Sequence, residues 1–111
     1  MVAYLSDDQL DQVFRALADA TRRDIVQRTL VGELSVTGLA ADYAMSFAAV
    51  QKHVAVLERA GLVQKTTVGR ERRVRAVPDR IARARDCLQQ LEAIWRHRLD
   101  ALDRVLAEPE E

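Results

Sequence analysis

The sequence predicts a mostly α-helical fold with one small β-hairpin, in the order α-α-α-α-β-β-α. Three observations predict it. Between positions 46 and 60, Val50, Val54 and Leu57 recur at the spacing that puts them on one face of a helix. Two short, partly β-branched runs, 64–68 and 72–77, flank Gly69-Arg70-Glu71, as in a hairpin with its tip at Gly69. From Asp79 to Leu106, apolar residues return every three or four positions, as along one long helix.

In chain order, Ser6 followed by Asp7 and Asp8 marks a helix start, and Leu10, Val13, Phe14 and Leu17 form an apolar stripe over 7–18. Asp19 or Thr21 caps a second helix that runs through Leu30 and ends at Gly32, with Ile25 and Val26 inward. Arg22 and Arg23 stand in its first turn, where the helix dipole prefers acids. Such a pair either meets a phosphate or carboxylate nearby or is exposed without a fixed partner. Ser35 or Val36 begins a short third helix that reaches Asp42 or Tyr43, with Leu39 and Ala40 packing on the fourth.

The fourth helix has both ends marked, by Ser46 as N-cap and by Gly61 where a left-handed residue is needed. Its buried stripe leaves Phe47, Ala48, Gln51, Lys52 and Ala55 on the opposite face, with small residues near the N-terminus. A short helix, a turn, a capped longer helix and a hairpin make the layout of a winged helix-turn-helix that reads DNA. Small residues permit close approach to a groove. Gln51 can pair an adenine edge, Ala48 or Ala49 can touch a thymine methyl, and Lys52 can reach a base or a phosphate. Ser46 and the helix N-terminus suit a phosphate.

The hairpin supplies charge. Between Phe47 and Arg75, Lys52, Arg59, Lys65, Arg70, Arg72, Arg73 and Arg75 stand against Glu58 and Glu71, an excess of five positive charges. The chain as a whole is formally neutral, because its ends are acidic. Positions 1–20 hold Asp7, Asp8, Asp11 and Asp19 against Arg15, and positions 100–111 hold five acids against Arg104. Steering depends on where charges lie, so the cationic middle is the footprint of a polyanionic partner. The expected DNA-binding set is Ser46, Phe47, Ala48, Ala49, Gln51, Lys52, Arg70, Arg72 and Arg73.

Three segments resemble the ArsR/SmtB family of bacterial winged-helix repressors: Ala16 to Val26, Gly32 to Val36, and Met45 to Val63 with its Gln51-Lys52-His53-Val54 and Leu57-Glu58-Arg59-Ala60-Gly61-Leu62-Val63. The resemblance spans positions 10–106 and implies a dimeric transcription repressor whose hold on DNA is released or tuned by a signal. Members usually carry Pro where Ala20 and Ala48 stand. Metal-sensing members carry a Glu-Leu-Cys-Val-Cys pattern; here Ser35 and Thr37 occupy the cysteine positions, and hydroxyls are poor ligands for soft metals. The Asp-x-His spacing that such members carry at the start of the last helix is broken by Ile81. No metal and no cofactor is expected, and the inducing signal, a small-molecule effector among the candidates, is not written in the chain.

The last helix carries Ile81, Ala84, Leu88, Leu91, Trp95, Leu99, Leu102 and Leu106, a seam too long for one domain of 111 residues to cover. With the first helix it is expected to form a two-fold dimer interface built on Leu10, Phe14, Leu88, Leu91, Trp95, Leu99 and Leu102. Length gives one domain over 1–111, with dimerisation helices at about 7–18 and 79–106.

Catalysis finds little support, since the chain offers two histidines, one cysteine and no Gly-rich phosphate loop. His53 reads as a structural residue beside the buried stripe, and His97 with Asp100 as a solvated pair. Cys87, expected as a buried and inert thiol with a redox role as the alternative, can form no intrachain disulfide, which fits a reducing compartment. With no bilayer-long apolar run and no signal-peptide pattern, a cytoplasmic, nucleoid-associated protein is expected. The competing reading is a dimeric winged-helix module that binds an acidic protein, or DNA architecturally, without operator specificity.

Overall fold

The computed structural model describes residues 5–107. Four helices, α1 (Asp7–Leu17), α2 (Ala20–Val31), α3 (Val36–Ala41) and α4 (Phe47–Arg59), are followed by strands β2 (Val63–Val68) and β3 (Glu71–Ala76) and by α5 (Asp79–Ala107). A two-residue strand, β1 (Leu34–Ser35), lies between α2 and α3 and was not foreseen. It pairs antiparallel with β3, Leu34 opposite Val74 and Ser35 opposite Arg73, so the sheet has the order β1-β3-β2.

Short polar side chains fix where each helix begins. The Ser6 hydroxyl accepts from the Gln9 backbone N–H while the Gln9 side chain accepts from the Ser6 N–H, a capping box that opens α1. Asp19, Ser35 and Ser46 cap α2, α3 and α4 by accepting from the N–H groups of Arg22, Gly38 and Ala49. The Arg22 N–H also holds the Asp19 carboxyl below its ordinary pKa. At the end of α4, Gly61 takes φ 75°, its N–H donates to Glu58 O and that of Leu62 to Leu57 O, so two of the orphan carbonyls are met.

Arg22 and Arg23 have no carboxylate within ion-pair reach among the described residues. They reach back to the C-terminal end of α1, where Arg22 donates to the carbonyls of Ala16 (2.7 Å) and Arg15 (3.0 Å) and Arg23 to that of Leu17 (2.8 Å). Their charge is unfavourable for the dipole of α2 and favourable for that of α1. Arg22 also stands 3.3 Å from His53 Nδ1 on α4. A guanidinium only donates, so this nitrogen accepts and His53 is a structural residue, as its position beside the buried stripe suggested.

The core gathers one face from every element up to β3. Val13 and Ala16 of α1, Ile25 of α2, Leu39 of α3, Val50, Val54 and Leu57 of α4, and Leu62, Val63 and Val74 are all buried. Each such Val, Leu or Ile contributes about 1.5–3 kcal/mol through removal of its surface from water. Buried Thr29 keeps its hydroxyl satisfied by donating to the carbonyls of Ile25 and Val26. Only the start of α5 joins this core: Ala84 is buried, Ile81 packs against it, and Arg80 donates to Ala60 O at the end of α4. From Leu88 onward α5 runs free, and the molecule measures 77 × 36 × 23 Å.

Candidate nucleic-acid interface

Burying Val50, Val54 and Leu57 forces the other face of α4 outward. Phe47, Ala48, Gln51 and Lys52 are exposed on it, Ala49 is half-buried, and Ser46 is exposed at the cap. The helix start is held by polar contacts between α2 and the turn that precedes α4. Tyr43 donates to Asp24 Oδ2 (2.5 Å), and Arg28 pairs with Asp42 (2.6 Å) and lies 5.6 Å over the Tyr43 ring. Partial burial, together with the adjacent Asp24 carboxylate, raises the Tyr43 phenol pKa above its usual value. The α4 tip is therefore posed by its own chain.

The hairpin is tighter than expected. Val68 pairs with Glu71, so Glu71 belongs to the strand and the turn is only Gly69-Arg70. Gly69 has φ 63° and no non-glycine residue has positive φ among the described residues, the pattern of a type II′ turn with glycine first. Side chains alternate across the strands, which decides where each arginine goes. Arg72 shares the face of buried Val74, toward α4, whereas Arg73 shares a face with Glu71 and Arg75.

Gln51 and Phe47 of α4, Val68, Arg70, Glu71 and Arg72 of the hairpin, and Val36 and Thr37 of α3 line one open cleft of about 450 Å³, in which two arginines stand against one acid. Arg70, Arg72 and Lys52 have no ion-pair partner among the described residues. Arg73 is different, lying 3.9 Å from Glu33 and 3.6 Å from Glu71. Lys65 lies 3.4 Å from Glu58, and Arg75 donates to Gln64. Of the residues expected to meet DNA, the geometry brings Phe47, Gln51, Arg70 and Arg72 into one cleft and leaves Arg73 on the other side of the sheet. Thr37, considered in the sequence only as a lost metal ligand, stands in the cleft wall; its place in the first turn of the supporting helix was the signal for it.

The residues expected at a dimer seam divide. Leu88, Leu91, Trp95, Leu99 and Leu102 are 55, 60, 56, 39 and 53% exposed, along with Ile94 and Val105. Leu10 and Phe14 of α1 are half-buried, and Phe14 already packs against the core. Cys87 is half-buried rather than enclosed, at the point where α5 leaves the core. Among the described residues no three His, Cys, Asp or Glu side chains gather around one point as metal ligands would, and no helix is long and apolar enough to cross a membrane.

Comparison with known proteins agrees with this geometry. Residues 19–65 match the family model described as bacterial regulatory protein, arsR family. The chain is 38% identical over 96 residues to the HTH-type transcriptional regulator Rv2034 of Mycobacterium tuberculosis, covering 86% of this chain and 87% of that one. A solved ArsR-like transcriptional regulator from Rhodococcus sp. RHA1 superposes with a TM-score of 0.81 at 33% identity, over 93% of this chain and 94% of the other. The homodimeric winged helix-turn-helix DNA-binding domain of Mb0332 from Mycobacterium bovis is similar at a TM-score of 0.63 and 26% identity, over 83% and 91%. The chain belongs to the ArsR family of bacterial regulatory proteins, and is a transcriptional regulator with a winged helix-turn-helix DNA-binding fold.

Proposed function

We propose that this chain is a single winged-helix domain that works as a homodimeric repressor in the bacterial cytoplasm, on an inverted-repeat operator in double-stranded DNA. Residues 46–60 enter the major groove, with Gln51 on a base edge, Ala48 and Ala49 near the groove floor and Phe47 at its wall. Ser46, Lys52, Arg70 and Arg72 hold the backbone, while Arg73, paired with Glu33 and Glu71 on the far side of the sheet, braces the hairpin. The observation that carries this reading is the shared cleft in which Gln51 faces unpaired Arg70 and Arg72. A base-reading group beside backbone-binding charges is what specific DNA recognition needs. The dimer rests on the uncovered apolar face of α5, with Leu10 and Phe14 of α1 beside it, and the M. bovis relative is described as homodimeric.

Genomic footprinting with purified protein, followed by competition between the recovered site and scrambled duplex, tests the proposal. A repressor protects an inverted repeat with half-sites about one turn, roughly 34 Å, apart, and loses affinity steeply as salt rises. Gln51→Ala then costs about 1–3 kcal/mol at particular base pairs, whereas Arg72→Ala weakens all sequences alike. Equal binding to specific and scrambled duplex refutes operator reading in favour of an architectural or protein-binding module.

A further inference from the structure

A second cleft lies at the opposite end of α4 from its DNA-facing tip. It holds about 200 Å³ and is lined by Gln12 and Arg15 of α1 and by Val56, Arg59 and Ala60 at the end of α4. From Phe47 to Arg59 the helix rises roughly 18 Å, so this cleft is separate from the one beside the hairpin.

Its chemistry is specific. The floor is apolar: Ala60 is buried and Val56 packs against the core. The rim is cationic, and neither Arg15 nor Arg59 has a carboxylate within ion-pair reach among the described residues. Of the carbonyls at this end of α4, Leu57 O and Glu58 O accept from the next turn and Ala60 O accepts from Arg80. Two guanidinium forks over a greasy floor fit a planar anion with a hydrocarbon body, because a fork binds a carboxylate through two parallel hydrogen bonds. The volume is below that of pockets for drug-sized ligands, which limits the body to about one ring or a short chain.

We propose that this cleft binds a small organic carboxylate, its carboxyl group held between Arg15 and Arg59 and its apolar part against Val56 and Ala60. The occupant touches both α1, a helix of the proposed dimer seam, and α4, the helix of the proposed DNA contact. Binding there therefore biases the angle between them to the extent that the ligand prefers one angle over another.

Benzoate is the probe, with benzyl alcohol as its uncharged counterpart, titrated into the full chain without DNA and followed by two-dimensional amide NMR. Benzoate should shift the resonances of Gln12, Val56 and Ala60 along a saturating curve, and benzyl alcohol should bind at least about tenfold more weakly, a difference of about 1.4 kcal/mol. Arg15→Gln and Arg59→Gln should each weaken benzoate at least about tenfold with unchanged thermal melting, and Arg59→Lys should recover part of the loss. Shifts that do not saturate, equal binding of the alcohol, or undiminished binding to both glutamine variants would overturn the proposal. Because no duplex is present, that failure leaves operator reading untouched, and failure of operator reading leaves this site standing.

Discussion

Helices α4 and α5 are both amphipathic, and they differ in who covers the apolar side. On α4, Val50, Val54 and Leu57 are 0 to 1% exposed, sealed by α1, α2, α3 and the sheet. On α5, the stripe from Leu88 to Leu106 is 39 to 75% exposed at its leucines, although its pattern is as regular. The same sequence signal thus has two meanings. A short stripe in the middle of the chain is covered by what surrounds it, whereas a stripe along a helix of roughly 44 Å at the end of a small domain outruns the body that could cover it. Such a face on a regulator is an interface in waiting.

The contrast can be broken or sharpened by substitution. Leu57→Ala opens a cavity in the sealed set and should lower stability by about 2–5 kcal/mol, read as a reduced urea midpoint; a loss under about 1 kcal/mol would mean that α4 is not packed as described. Trp95→Glu with Leu99→Glu should instead spare the fold of the reading head and halve the mass seen by light scattering. Affinity for an inverted repeat should then fall at least about 100-fold as joint engagement of two half-sites is lost. An unchanged mass would refute α5 as the seam.

The smallest effect concerns the turn that poses α4. Tyr43→Phe removes the hydroxyl that donates to Asp24 and should cost about 1–2 kcal/mol at neutral pH. The Tyr43 pKa is raised in the folded chain, so its contribution is complete below the unfolded value near 10 and is lost as pH climbs past the folded one. Wild-type stability should consequently fall more steeply above pH 10 than that of Tyr43→Phe, as followed by chemical denaturation across that range.

What was legible in the sequence follows the same division. Helix starts were readable at Ser6 and Ser46 because a cap acts within three residues, and Gly61 was readable because few other residues accept a left-handed φ. The outward face of α4 followed from the period of its buried one. Strand β1 escaped because two residues carry no alternation, and Ser35 was already explained as a cap. The targets of Arg22 and Arg23 escaped because they lie on the preceding helix, six or seven residues back through a turn whose angle no local pattern encodes. Within the candidate site, counting charges over the hairpin gave its sign. Which arginine faces α4 depended on register, and Val74, the one buried residue of β3, sets exposed Arg72 on the α4 side and Arg73 toward Glu33.

The rod-like α5, fixed over its first two turns and free beyond them, is also a lever. About 5° of tilt at its root carries the far end through about 4 Å, given a rise of 1.5 Å per residue over 29 residues. In a pair of chains clasped along that rod the amplification runs backwards as well. In the dimer proposed above, a slight repacking between partners would swing the two heads apart or together by about 4 Å, so the shaft that joins the pair would also set the spacing of its two reading helices.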